Sequence, residues 1–346
     1  MGMRHVLVFA AAAMIVAVAN ANAGMLDANV VFSGYTPLSS NVELARRLLT
    51  PLTAAQLPEL VAKTGKMLSA QPIDLSQEKF VVYVPAAKPA AGYGLLVFVP
   101  PWDDARIPPA WTDVFDQAGM IYVSALRSGN DANPIGRREP LVLLAYANMI
   151  KRYPIDPSRI YVGGFSGGSR IAMRLALAYP DVFRGAFLNS GSDPIGDATV
   201  PLPPKDLFFR FQESSTLAYV AGEDDTNVVR IDRESRHTMH DWCVFNIESR
   251  DMRRTGHHSA DADSLAWALD VLDKKESPDP AALADCRAGI DAALDAKLQE
   301  VESLIAAGRR DEAKAHLDAI DKTYGGWAAP KSLELEKRLD GPSAHP

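Results

Sequence analysis

Arg159-Ile160-Tyr161-Val162-Gly163-Gly164-Phe165-Ser166-Gly167-Gly168-Ser169-Arg170 is the stretch that decides the reading of this chain. Ile160-Tyr161-Val162 favours a strand. From Arg170 to Tyr179, Ile171, Leu175 and Ala178 recur on one face at helical spacing. Between them stands G-x-S-x-G, with Ser166 at its centre. A hydroxyl becomes a nucleophile when it is held in the open beside a base and next to amide donors that stabilise the oxyanion it creates. A sharp strand-to-helix turn supplies that geometry. Gly-Ser clusters also make ordinary loops, so the motif draws its meaning from the strand before it and the helix after it. Gly164 and Gly168 let the two backbones approach closely, and Gly167 leaves its amide uncovered.

Outward from the turn, apolar runs of strand length recur at Phe80 to Val84, Leu95 to Val99, Met120 to Ala125, Gly185 to Leu188, Leu217 to Ala221 and Val244 to Ile247. Several are continuous, as in strands covered on both faces. Helical patterns such as Leu141 to Arg152 alternate with them, which predicts a mostly parallel sheet with helices on both faces over residues 79–273. Residues 24–78 read as a helical segment, with helices over Asn41 to Leu49, stopped by Pro51, and over Thr53 to Leu68. Past the polar linker Lys274 to Pro280, residues 274–346 read as a helical extension. There Leu294, Leu298, Val301 and Ile305 make one stripe and Ala313, Leu317, Ile320 and Tyr324 a second, separated by Gly308-Arg309-Arg310. Such a helical hairpin cannot bury its own apolar face. It must dock on the α/β unit or on another subunit, which leaves self-association through these helices open.

A nucleophilic serine needs a base, and an acid that orients the base. The strand Leu217 to Ala221 opens into Gly222-Glu223-Asp224-Asp225, the end of a strand where α/β sheets place ligand-contacting groups. Downstream, Gly256-His257-His258 precedes a helix holding Leu265, Ala268, Leu269 and Leu272, so a histidine stands at a loop-to-helix junction after the last strand. On these residues, the chain from Phe80 to Asp273 resembles the α/β-hydrolase superfamily. The stretch from Tyr153 to Gly168 resembles the secreted esterases related to polyhydroxybutyrate depolymerases and feruloyl esterases. The resemblance implies Ser166 as nucleophile, Asp225 as the orienting acid and His257 as the base. Asp225 matches the Gly-x-x-Asp spacing from Gly222; Asp224 is its close substitute and Asp193 a more distant one. Where such enzymes carry His-Gly, this chain has Val99-Pro100-Pro101-Trp102. Proline has no amide proton, so the oxyanion donors fall to the amides of Trp102 and Gly167. Trp102 also suits an acyl-pocket wall, and Trp102 and Trp111 alike suit lid or core packing. The loop from Arg127 to Arg138 carries three arginines that either line the site or are solvated. His237 and His240 are read as solvated, and no ligand spacing for a metal emerges.

The first 23 residues carry Arg4, an apolar stretch from Val6 to Ala19 and the small-x-small triplet Ala21-Asn22-Ala23. That is the pattern of a cleavable signal peptide, with an apolar stretch below the roughly 20 residues of a spanning helix. It predicts a periplasmic or secreted product. A net charge of -7 argues against nucleic acid or an anionic membrane as partner. The two cysteines, Cys243 and Cys286, either pair in an oxidising compartment or stay as buried thiols. The function read from sequence is an exported serine esterase acting on a small-molecule ester through an acyl-enzyme, with no cofactor and no metal. A serine peptidase of similar fold and a binding protein on a degenerate hydrolase scaffold are the alternatives.

Overall fold

The computed structural model describes residues 24–65, 67–274 and 276–340; the signal peptide read over 1–23 lies outside them. The elements in chain order are β1 (Met25–Val30), α1 (Asn41–Leu48), α2 (Pro51–Ala62), β2 (Phe80–Val84), β3 (Tyr93–Val99), α3 (Thr112–Ala118), β4 (Met120–Ala125), α4 (Glu139–Arg152), β5 (Ile155–Phe165), α5 (Gly167–Ala178), β6 (Gly185–Asn189), α6 (Lys205–Ser214), β7 (Thr216–Gly222), α7 (Thr226–Asp241), β8 (Ile247–Met252), α8 (Ala262–Asp273), α9 (Pro280–Ala306), α10 (Arg310–Tyr324) and α11 (Lys331–Asp340). The strands form one sheet in the order β1-β2-β4-β3-β5-β6-β7-β8. β2 runs antiparallel to β1 and β4, and from β4 through β8 all pairings are parallel. This is the α/β-hydrolase arrangement, with helices on both faces.

The continuous apolar runs follow from that covering. Side chains alternate across a strand, so a strand buried on both sides must be apolar at every position. In β3, Leu95, Val97 and Val99 join the core beneath α4 and α5. Leu96 and Phe98 point the other way and pack with Val114, Phe115, Leu265 and Leu269 of α3 and α8.

Three local readings need correction. β1 lies in the segment read as helical; it is an edge strand with a mostly exposed burial pattern, so it lacks the apolar run that marks the inner strands. The last strand is not Val244 to Ile247 but β8, whose exposed Ser249 and Asp251 reflect an edge with one wet side. Pro51, read as stopping α1, is the first residue of α2, behind a Thr50 cap whose hydroxyl accepts from Thr53 N–H.

The C-terminal helices dock on the chain's own core. Leu294, Leu298, Val301, Leu317 and Ile320 belong to the cluster that contains Phe208 and Phe211 of α6, and a third helix, α11, adds Leu335 to it. Polar contacts fix the seat. The Arg287 guanidinium lies 3.9 Å from the Phe209 ring centre and donates to Gln212 Oε1 at 2.7 Å. Lys205 pairs with Asp291 at 2.6 Å, and Asp291 also accepts from Trp327 Nε1. Cys243, just past α7, is disulfide-bonded to Cys286 in α9.

That bridge closes a loop with a sequence separation of 43, so its loss is expected to cost at most about 4 kcal/mol of stability by chain entropy. Thermal melts with and without reductant, alongside Cys286→Ser, should show a lower Tm for both opened forms. An unchanged Tm in protein whose free thiols are confirmed by mass would contradict this.

Candidate active site

The turn between β5 and α5 holds Ser166 at φ 55°, ψ -123°, a region that non-glycine residues rarely occupy and that costs on the order of 1–3 kcal/mol. The surroundings leave it no alternative. Ser166 N–H donates to Asn189 O at 2.8 Å, and Ser166 O accepts from Ser169 N–H at 3.0 Å as α5 begins. A side chain at Gly168 would run into the Val99 carbonyl, so β3 and α5 can approach only with glycine there. Ser166 therefore sits at the head of α5 with its hydroxyl free of any capping role.

Two other loops deliver its partners. Asp225 stands just before α7, its N–H bonded to Gly222 O at 3.0 Å and its side chain making no cap to the helix. The uncommitted carboxylate accepts from His257 Nδ1 at 2.5 Å, and His257 Nε2 lies 2.8 Å from Ser166 Oγ. With the proton on Nδ1, the Ser166 hydroxyl donates to Nε2. The Asp225 side chain is 14% exposed and that of His257 44%, so the imidazole faces solvent while the carboxylate that holds it is shielded. Asp224 is exposed, its N–H bonded to Thr255 O. Asp193 lies 3.4 Å from Arg170 Nε, and burial raises its pKa. Of the three acids weighed from sequence, only Asp225 reaches His257.

Phe165 lies against the His257 ring, with centroids 5.0 Å apart, and Trp102 lies against Phe165 at 5.7 Å. Trp102 is 41% exposed and forms an aromatic wall beside Ser166. Trp111 is buried, donating to Ala260 O at 2.8 Å, which is the core role weighed for it. The three arginines of the loop are engaged by the protein, although Arg127 is also 59% exposed. Arg127 and Arg137 both pair with the buried Glu78, at 3.1 and 2.6 Å, and Arg138 is itself buried. His237 is largely exposed, 3.7 Å from Asp241. Among the described residues no group of three or more His, Cys, Asp or Glu side chains is placed to hold a metal ion.

Sequence reasoning passed over Asn189 and Asn130. Asn189 is buried at the end of β6. Its carbonyl holds Ser166 N–H, its Oδ1 accepts from Ala260 N–H at 2.7 Å, and its Nδ2 donates to Val220 O. One residue, through its backbone carbonyl and its side chain, thus ties the serine turn to the loop carrying His257. Its signal was a lone amide closing an apolar strand, which must be satisfied when buried. The Asn130 carboxamide occupies the space that a side chain at Gly167 would need.

No family model matches the chain. Over 98 residues, 24% of this chain and 20% of the other, it is 32% identical to the poly(3-hydroxybutyrate) depolymerase of Ralstonia pickettii. The aligned part thus spans about a fifth of that curated relative's length. The resemblance drawn from the serine turn is to the same group of enzymes. Among solved structures the chain is similar to a ferulic acid esterase, at 17% identity over 57% of this chain and 94% of that chain, TM-score 0.43. It is also similar to a poly(3-hydroxybutyrate) depolymerase from Bordetella parapertussis, at 14% identity over 60% and 88% of the two chains, TM-score 0.42.

Beneath the site, α7 carries a second carboxylate. Asp232 Oδ1 accepts from the Ser192 hydroxyl at 2.5 Å, while Oδ2 has no hydrogen-bond partner among the described residues. Burial pushes this carboxyl up to about 6, despite the Ser192 hydroxyl and Arg236 favouring the charged form. Between about pH 4 and 6 the native state holds a proton that the unfolded chain has released, so stability falls as pH rises through that window, by about 3 kcal/mol for this group. Asp232→Asn removes the term. Its Tm relative to wild type is expected to climb from pH 4 to pH 7 and then level off, and a pH-independent difference would contradict the assignment.

Proposed function

We propose that the protein is a serine hydrolase that cleaves carboxylic esters through an acyl-enzyme. The observation that carries this reading is the chain of contacts from Asp225 through His257 to Ser166, at 2.5 and 2.8 Å, on a serine held in a strained strand-to-helix turn. In the reaction, Ser166 Oγ attacks the ester carbonyl as its proton passes to His257 Nε2, and a tetrahedral oxyanion forms. The amides of Gly167 and Trp102 are the donors to that oxyanion, aided by the N-terminus of α5. Collapse breaks the bond to the alcohol oxygen, which leaves with the proton held by His257. Water then repeats the sequence and releases the acid. Asp225 keeps the imidazole in the tautomer that accepts from Ser166 and stabilises the imidazolium.

In this reading residues 79–273 carry the chemistry, while α1, α2, α9, α10 and α11 cover the helical face opposite α3 and α8. The substrate is a small-molecule ester whose acyl or alcohol group rests against Trp102 and Phe165. The product acts after export, in the periplasm or outside the cell. The Cys243–Cys286 bridge supports an oxidising compartment, and no helix among the described residues is long and apolar enough to cross a membrane.

A fluorophosphonate probe on the purified protein tests the claim. It is expected to label Ser166, identified by peptide mass, and to leave Ser166→Ala unlabelled. Ester turnover should fall roughly a million-fold in Ser166→Ala or His257→Ala and roughly ten-thousand-fold in Asp225→Asn. Folded wild type that takes no label between pH 6 and 9 would overturn the reading in favour of a binding scaffold.

A further inference from the structure

Arg138 is a buried cation with an unusual set of partners. Its Nε donates to Ser128 O at 2.8 Å, Nη2 to Pro100 O at 3.0 Å and Nη1 to Gly167 O at 3.3 Å. All three acceptors are neutral carbonyls. Glu139, next in the chain, turns instead to Arg174 at 2.8 Å. Burial works against the charged form of Arg138 and lowers its pKa from the usual arginine value. A guanidinium kept in so costly a place earns attention to what it joins: the loop after β3, the loop after β4, and the first residue of α5.

Two of those segments carry the amides assigned to the oxyanion. The loop after β3 reaches Trp102 through Pro100 and Pro101, which have no N–H with which to brace themselves. Their carbonyls are instead held from outside, Pro100 O by Arg138 and Pro101 O by Asn130 N–H at 2.9 Å. A trans peptide is planar, with its C=O and N–H on opposite sides. Fixing the Pro101 carbonyl therefore fixes the direction of the Trp102 N–H. Arg138 meanwhile holds Gly167, the residue that bears the second amide.

We propose that Arg138 is the positioning residue of the oxyanion site: by clamping the carbonyls of Pro100, Ser128 and Gly167, it sets the spacing of the Trp102 and Gly167 amides that a Pro-Pro loop cannot set itself. The inference rests on the serine-hydrolase reading. Misplacing one donor in such a site costs about 10²–10³ in kcat. Lysine keeps the charge but loses the fork that reaches three acceptors.

The test compares wild type, Arg138→Lys and Arg137→Lys, each full-length and checked for folding by circular dichroism. Turnover of p-nitrophenyl acetate is read together with inhibition by a trifluoromethyl ketone, whose serine adduct carries the oxyanion. Arg138→Lys is expected to lose about tenfold to a few hundredfold in kcat with KM held within about threefold, and to bind the ketone more weakly by a similar factor. Arg137→Lys, which disturbs the Glu78 pair and the bond to Arg127 O in the same loop but none of the carbonyls of Pro100, Ser128 and Gly167, should keep kcat and ketone affinity. A purely structural role for Arg138 would lower Tm and leave both intact.

Should Arg138→Lys fail to fold, Asn130→Pro at an exposed loop position removes the N–H that holds Pro101 O together with the carboxamide over Gly167, so Asn130→Ala, which removes the carboxamide alone, is its control, and the same paired loss is expected of Asn130→Pro beyond that of Asn130→Ala. Unchanged kcat in folded Arg138→Lys, or in Asn130→Pro, overturns the inference. The fluorophosphonate label separates the two claims. A labelled wild type with an unaffected clamp variant refutes the positioning role alone, while an unlabelled wild type removes the serine reading and this inference with it.

Discussion

A serine backbone at φ 55°, ψ -123° is the constraint on which the rest of the molecule turns. Left to itself this conformation would relax, since it costs on the order of 1–3 kcal/mol. It persists because it is overdetermined. β5 enters the turn paired with both β3 and β6, so the strand cannot shift in register. The amide of Ser166 is held by Asn189, and α5 starts at once behind it. Gly168 meets the Val99 carbonyl and Gly191 meets the Ser166 carbonyl at distances no side chain would permit. Every one of these contacts comes from an element the parallel sheet places next to β5, so the strained turn and the sheet order are one problem solved together.

The partners of Ser166 follow from the same parallel order. Because β5, β6 and β7 run in one direction, their carboxyl ends open on one edge, and loops distant in sequence meet there. Gly222 packs against the carbonyls of Thr255 and Gly256, which sets the His257 loop directly on the end of β7. Asp225 is chosen over Asp224 by backbone geometry. It sits just before α7 with its side chain unspent on capping, whereas Asp224 is exposed and tied through its amide to the Thr255 carbonyl. Asp193, one strand earlier, is engaged by Arg170.

What was legible in the sequence was what local pattern encodes. The inner strands read as unbroken apolar runs because both faces are covered, and the serine turn read from its glycines. Ser166, Asp225 and His257 were named from strand ends together with the resemblance to the α/β-hydrolases, and the structure brings the three side chains together. The edges were not legible. β1 and β8 have a wet side, so their sequences, Met-Leu-Asp-Ala-Asn-Val and Ile-Glu-Ser-Arg-Asp-Met, lack the inner-strand signature. Long-range polar pairings were equally silent. Nothing near Arg138 in the chain announces that its partners lie at Pro100 and Gly167, and with only two cysteines the sequence named the one possible pair but not whether it forms. Such pairings are set by tertiary approach, which periodicity does not encode.

The covering helices bear on selectivity by where they are not. α9, α10 and α11 pack against α6, α7 and α2; the cleft of about 410 Å³ is lined by α1, α2, α10, Arg174 and the loop before α6, and that of about 500 Å³ by α2, α10 and α11, neither by Ser166 or His257. The cover therefore adds apolar burial to the scaffold while the His257 side chain stays 44% exposed at the carboxyl edge of the sheet. With the base open to solvent, discrimination in the proposed reaction falls to the few groups that flank it. Trp102 and Phe165 offer flat apolar area, and the Asn130 carboxamide offers a polar group over Gly167. In that reaction Trp102 would carry two demands at once, a side chain that meets the substrate and an amide that meets the oxyanion. A residue with both duties must be held in position as well as chosen for its chemistry, which is the role proposed for the buried guanidinium beneath a loop that begins with two prolines.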